Sequence, residues 1–250
     1  MTQPQNACMK CRLGAGNSHR GIRPPPNPAI LLAVSSYPEA MSTPRLFLAR
    51  HGETAWTLTG QHTGITDLPL TNHGEFQVAS SRAALIGPGR LIDPNRLSRI
   101  YVSPRLRAQR TLHLLLGGAS SSITDERVRE WGYGRYEGMT PSQIREDRRA
   151  RGLDAERPFN IWRDGCEDAS GDIGVGRGES RQEITARIDE VIDEIRAIHS
   201  AGMAAGRDDV DVLIVSHGHF LRSLTKRWLG FEVDANLSMI LEPGGVATMT

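Results

Sequence analysis

Cysteine is scarce, with three in 250 residues, which excludes a disulfide framework and leaves all three expected reduced, as in a cytoplasmic protein. Cys8 and Cys11 form a lone C-x-x-C. Only His19 stands near as a further ligand, so an unstructured tail is a better reading there than a metal site. Long apolar runs are missing too: residues 29–34 fall far short of the roughly 18 to 20 residues of a membrane span. A formal net charge of +1 speaks against a nucleic-acid or membrane partner. No Asp/Glu cluster of the two-metal kind occurs, and neither a metal nor a cofactor is expected.

Residues 1–40 carry Pro24-Pro25-Pro26, several glycines, Lys10, Arg12, Arg20 and Arg23, and one acid, Glu39. They are expected to be a disordered extension. A targeting segment is the alternative, although a clear amphipathic arginine helix is wanting. The domain is expected over 41–250, enough chain for one substantial core, and self-association is left open.

From Met41 onward short apolar runs alternate with helical stretches, the pattern of a mainly parallel sheet covered on both faces, an α/β three-layer sandwich. Thr71 caps a helix running toward Leu85, with Gly87-Pro88-Gly89 as its stop. A further helix is expected from Arg105 to Leu116. Ser180-Arg181-Gln182-Glu183 is a capping box. Behind it Ile184, Ile188, Val191, Ile195 and Ile198 keep helical spacing as far as His199. Residues 139–167 are polar and arginine-rich, a helical excursion that, with the chain to 179, would lie over the strand ends as a lid.

Three strand ends carry the chemistry. Leu46-Phe47-Leu48-Ala49 runs into Arg50-His51-Gly52-Glu53, and Val212-Leu213-Ile214-Val215 into Ser216-His217-Gly218-His219. Ligands of open α/β sheets bind outside the carboxyl ends of the strands, so His51 and His217 are expected to share one pocket. Between them Ser98 to Val102 reads as a strand and Ser103-Pro104-Arg105 as a helix start, with Pro104 at the first helical position. Free N–H groups and the Arg105 fork would bind phosphate oxygens there.

Neutral imidazole attacks phosphorus well when its other nitrogen is held by a carbonyl, the role expected of His51. Charge gathering on the phosphoryl oxygens would be met by Arg50 and Arg105, with a protonated His217 as a further donor. Arg107 and Arg110 are read as solvated. Most of Arg145, Arg148, Arg149, Arg151 and Arg163 are read the same way, with a receiver for a distal phosphate among them as the alternative.

At these residues the chain resembles the histidine phosphatase superfamily, the phosphoglycerate-mutase-like enzymes. The likeness extends through residues 60–71, Ser103 to Ala108, Arg129-Glu130-Trp131-Gly132-Tyr133-Gly134, Tyr136-Glu137-Gly138 and Ser216 to His219. Residues 152–167 resemble the fungal branch typified by sedoheptulose-1,7-bisphosphatase. The resemblance implies a metal-independent phosphatase that works through a phosphohistidine on a small phosphorylated sugar, most closely sedoheptulose 1,7-bisphosphate. Glu130 falls on the family's acid, with Glu53 as its rival. Gln61, His62, Thr63 and Gly64 fall on the substrate loop, and Tyr133 and Gly218 beside the substrate. Trp131 reads equally as core.

Three departures stand out. His62 replaces an aromatic hydroxyl of the branch, residues 168–177 look like a lengthened loop, and the chain stops at Thr250, where the family usually continues and the last strand is expected to be short. A mutase that passes the phosphate to another hydroxyl, and a protein that senses phosphorylated ligands without turnover, are the alternatives.

Overall fold

The computed structural model describes residues 43–118, 121–167 and 176–250. The N-terminal extension with Cys8, Cys11 and His19, and all but the last two residues of the looked-for loop at 168–177, lie outside the described residues.

Five strands, β1 (Leu46–Arg50), β2 (Leu97–Val102), β3 (Ile123–Thr124), β4 (Asp211–Ser216) and β5 (Val246–Met249), lie in the order β3-β2-β4-β1-β5. All neighbours are parallel except β5, which runs antiparallel along β1 from Leu46 to Ala49. The helices are α1 (Ala55–Thr59), α2 (Asn72–Leu85), α3 (Leu106–Leu116), α4 (Pro141–Ala150), α5 (Ile161–Asp164), α6 (Arg181–Ala204) and α7 (Gly218–Trp228).

Because side chains alternate across a strand, the unbroken apolar runs of β1 and β4 supply two core faces. Phe47, Ala49, Leu213 and Val215 pack with Val78 of α2 and Ala108, Leu112 and Leu115 of α3. On the other face Leu46, Leu48, Val212 and Ile214 pack with Ile184, Ile188, Val191 and Ile195 of α6 and Phe220, Leu221 and Leu224 of α7. The result is the expected three-layer α/β sandwich. No helix among the described residues is long and apolar enough to cross a membrane.

The expected caps are present. Thr71 accepts from Gly74 N at the start of α2, and Ser180 and Glu183 form their capping box on α6. That helix continues past His199 to Ala204, since small residues there offer no stop before Gly206. Gly202 lets it rest on Val210, where a Cβ would come within 2.2 Å of a Val210 methyl. Pro104 is not the first helical residue. Arg105 is the N-cap of α3 in extended conformation, and Leu106 begins the helix with its N–H on Asp67 Oδ1 at 2.7 Å. A 3-10 turn at Glu126–Val128 lies between the two-residue β3 and Glu130. Residues 139–167 are helical only in part, as α4 and the four-residue α5, with turns and irregular chain over 151–160.

Candidate active site

The register of the sheet assembles the site. Arg50 of β1 is paired with Ser216 of β4, so the next residues, His51 and His217, emerge side by side with ring centroids 5.1 Å apart. Both imidazoles are buried. His51 Nδ1 lies 2.8 Å from the carbonyl of Gly52, which places the proton on Nδ1 and leaves Nε2 with a free lone pair. Burial first, then the charges of Arg107 and Arg50, hold the His51 pKa well below its ordinary value.

His217 is the first correction. It accepts the N–H of Arg107 Nε on Nδ1 at 3.2 Å, and its Nε2 lies 2.7 Å from Ser103 Oγ. A ring that accepts on one nitrogen is neutral, with its proton on the other. Burial, reinforced by Arg107, pushes its pKa well below 6.5. The expected protonated donor is therefore a neutral Nε2–H donor.

Arg107 is the second correction. It was expected in solvent and is wholly buried. Besides holding His217, it donates to the carbonyls of Thr63, Gly64 and Thr66, tying the loop after α1 to the imidazole pair. A sequence signal existed: Arg107 shares the buried face of α3 with Ala108, Thr111, Leu112 and Leu115. Arg110 does lie at the surface, paired with Glu75.

A cavity of about 320 Å³ opens onto His51, lined also by Arg50, Gln61, His62, Thr63, Glu130, Tyr133, Gly218 and Arg222. Arg50 gives one N–H to the carbonyl of Leu241, while its buried Nε has no partner. Gly218 packs beside it, where a Cβ would make ordinary van der Waals contact, 3.4 Å from the Arg50 guanidinium carbon. Glu130 accepts from the backbone N–H groups of Trp131, His219 and Phe220 at 2.8 to 3.1 Å. It thereby caps α7, whose own N-cap, His217, provides no side-chain bond. Its rival Glu53 takes a hydrogen bond from Thr71 at 2.6 Å instead.

Three expected site residues are not in the lining of this cavity: His217, which is wholly buried, Arg105 and Gly64. Arg105 and Gly64 line a neighbouring cavity of about 160 Å³, which meets the first at Glu130. The Gly64 N–H is spent on the Glu137 carboxylate at 2.9 Å. Gln61 and Thr63 stay in the main cavity, where Gln61 reaches the carbonyl of Gly138 and Thr63 that of Gln61. His62 stacks on His219 at 5.5 Å and meets Tyr133 edge-on. Tyr133 is buried with its hydroxyl 2.7 Å from His219 Nδ1, and burial raises its pKa. Trp131 is core, donating to the carbonyl of Glu179.

The arginines of 139–167 are only partly the solvated face expected. Arg148 and Arg151 are neutralised by Asp147, Asp154 and Glu167, and Arg163 by Asp164. Besides Arg50, the guanidinium that lines the His51 cavity is that of Arg222 of α7.

The family model of the histidine phosphatase superfamily (branch 1) matches residues 46–250. Sedoheptulose 1,7-bisphosphatase of Saccharomyces cerevisiae is 40% identical over 207 residues, 80% of this chain and 73% of that protein. An acid phosphatase of Mycobacterium tuberculosis is 36% identical over 185 residues, 74% of this chain and 75% of its own. The solved structure of an open reading frame product of M. tuberculosis matches with a TM-score of 0.63 at 30% identity, covering 83% of this chain and 91% of that one.

Proposed function

The chain belongs to the histidine phosphatase superfamily and is a phosphoric monoester hydrolase, and on that footing we propose that it hydrolyses a small sugar bisphosphate, sedoheptulose 1,7-bisphosphate first among them, through a phosphohistidine on His51. One observation carries the mechanism. The Nε2 lone pair of a neutral imidazole, locked by the Gly52 carbonyl, faces a cavity beside an arginine whose buried Nε has no partner. The substrate rests on the likeness to the yeast bisphosphatase.

In this reading His51 Nε2 attacks phosphorus while Arg50 receives the phosphoryl oxygens, joined by the Nε2–H of His217 once that N–H is exchanged from Ser103 Oγ to the phosphoryl group. Glu130 protonates the departing sugar oxygen and later takes a proton from the water that cleaves the phosphohistidine. Arg107 is a positioning residue, setting the tautomer of His217. Guanidinium groups supply the positive charge, so the reaction is read as independent of metal.

The test is phosphate release in EDTA from sedoheptulose 1,7-bisphosphate, fructose 1,6-bisphosphate, 3-phosphoglycerate and phenyl phosphate, with an acid-labile, base-stable phosphoprotein sought on rapid quench. Preference for a bisphosphate and loss of the phosphoprotein in His51→Ala are expected. Robust turnover by His51→Ala would overturn the mechanism, and a requirement for a diphosphorylated primer would make the protein a mutase.

A further inference from the structure

Arg222 stands on the wall of the His51 cavity. The same guanidinium lines a second, polar cavity of about 570 Å³, walled by Asn160, Trp162, Lys226 and the loop at 234–240. Lys226 is almost wholly buried. Its ammonium donates to the carbonyl of Val233 at 2.7 Å and lies 4.2 Å from the centre of the Trp162 indole. An ammonium has three donors, and no second hydrogen bond to it occurs among the described residues.

Arg222 is in the same position. Its Nε is bonded to the carbonyl of Gly218, its guanidinium carbon lies 5.0 Å from the same indole, and its terminal amino groups have no hydrogen bond among the described residues. The acid on this wall, Asp234, is paired with Arg181. Two cations one helical turn apart thus meet an aromatic ring with no carboxylate committed to them. Burying like charges together is costly unless an anion joins them, and burial, with Arg222 adding to it, lowers the Lys226 pKa.

We propose that Lys226 is a specificity-determining residue that, together with Arg222, seats the distal phosphate of a bisphosphate whose other phosphate lies at His51. This rests on the phosphatase reading above and deepens it. From Gly218, next to His217, to Lys226 the helix rises about 12 Å, at 1.5 Å per residue. A ligand that reaches both His51 and this seat has to carry a second anionic group at its far end.

The experiment is calorimetric binding to the full chain carrying His51→Ala, so that binding is read without turnover. Sedoheptulose 1,7-bisphosphate and phenyl phosphate are compared with and without Lys226→Met. The bisphosphate is expected to bind about tenfold more weakly to the Met variant, the loss of a charged hydrogen bond, and phenyl phosphate within about threefold of its former affinity on the same scale. Lys226→Arg is expected to recover most of the difference. If the Met variant does not fold, Lys226→Gln, which keeps a donor for Val233, carries the same comparison. Unchanged bisphosphate affinity, or an equal loss for both ligands, overturns the proposal. Failure of the unsubstituted protein to release phosphate would instead strike the His51 mechanism, leaving this binding comparison standing.

Discussion

Arg107 Nε points at His217 Nδ1 from 3.2 Å, so one arginine decides which nitrogen of a neighbouring imidazole carries the proton. Its charge also acts on His51, where among charged groups it is the largest influence lowering the pKa.

Replacing Arg107 by Met should therefore move a pH profile. His51 attacks only when neutral, so kcat/KM falls as the pH drops through its pKa. With that pKa held well below 6.5, the unsubstituted enzyme keeps its activity into mildly acidic solution. Without Arg107 the acid limb shifts upward, and kcat drops by about 10² to 10³, the size of losing one preorganised donor. A rate loss with an unmoved limb would confine Arg107 to holding the loop.

Glu130→Gln preserves a side-chain oxygen for the N–H groups at the start of α7 while removing the transferable proton. Turnover of a sugar phosphate should fall by about 10² to 10⁴. Turnover of p-nitrophenyl phosphate, whose leaving group departs without help, should fall much less. Equal losses on the two substrates would count against Glu130 as the acid.

Glu179 and Arg187, 5% and 8% exposed, meet at 2.6 Å, and Glu179 also accepts from the Gly132 N–H. Glu179→Ala strands the arginine in the interior. A loss of about 3 to 5 kcal/mol is expected, measured by urea unfolding. A loss under about 1 kcal/mol, typical of an exposed pair, would mean that water reaches Arg187.

Gly74→Ala offers a test of sign. Alanine ordinarily stabilises a helix interior by about 1 kcal/mol over glycine. Here the added Cβ would lie 2.3 Å from the Glu53 carbonyl oxygen, so α2 has to draw back from the turn that carries His51. Net destabilisation of about 1 to 3 kcal/mol, as for overpacking, is expected in thermal unfolding, together with reduced activity. A stabilised protein would refute the close contact.

What could be read from the sequence follows from how each feature is encoded. His51 and His217 announce themselves because an apolar strand that ends in polar residues marks its own terminus, and α2 and α6 carry their caps in plain sequence. Arg107 was misread because an arginine on a helix looks solvated until its neighbours on the same face, Ala108, Thr111 and Leu115, are seen to be core. Arg105, two residues earlier, sits at a helix start that promised phosphate, yet its extended cap geometry turns it toward the neighbouring cavity. Arg222 and Lys226 carry no local signal. Their importance depends on where Trp162 of α5 comes to rest, which no spacing within α7 reveals.

The pairing of Arg50 with Ser216 has a consequence for change over time. Loops between β1 and β4 can gain or lose residues at their tips without separating the two imidazoles, because hydrogen bonds between the strands hold them together. A single residue inserted within either strand would shift every later side chain to the opposite face, sending one histidine into the core layer. The imidazole pair is therefore tolerant of length at loop tips and intolerant of it along the few residues where β1 and β4 run side by side.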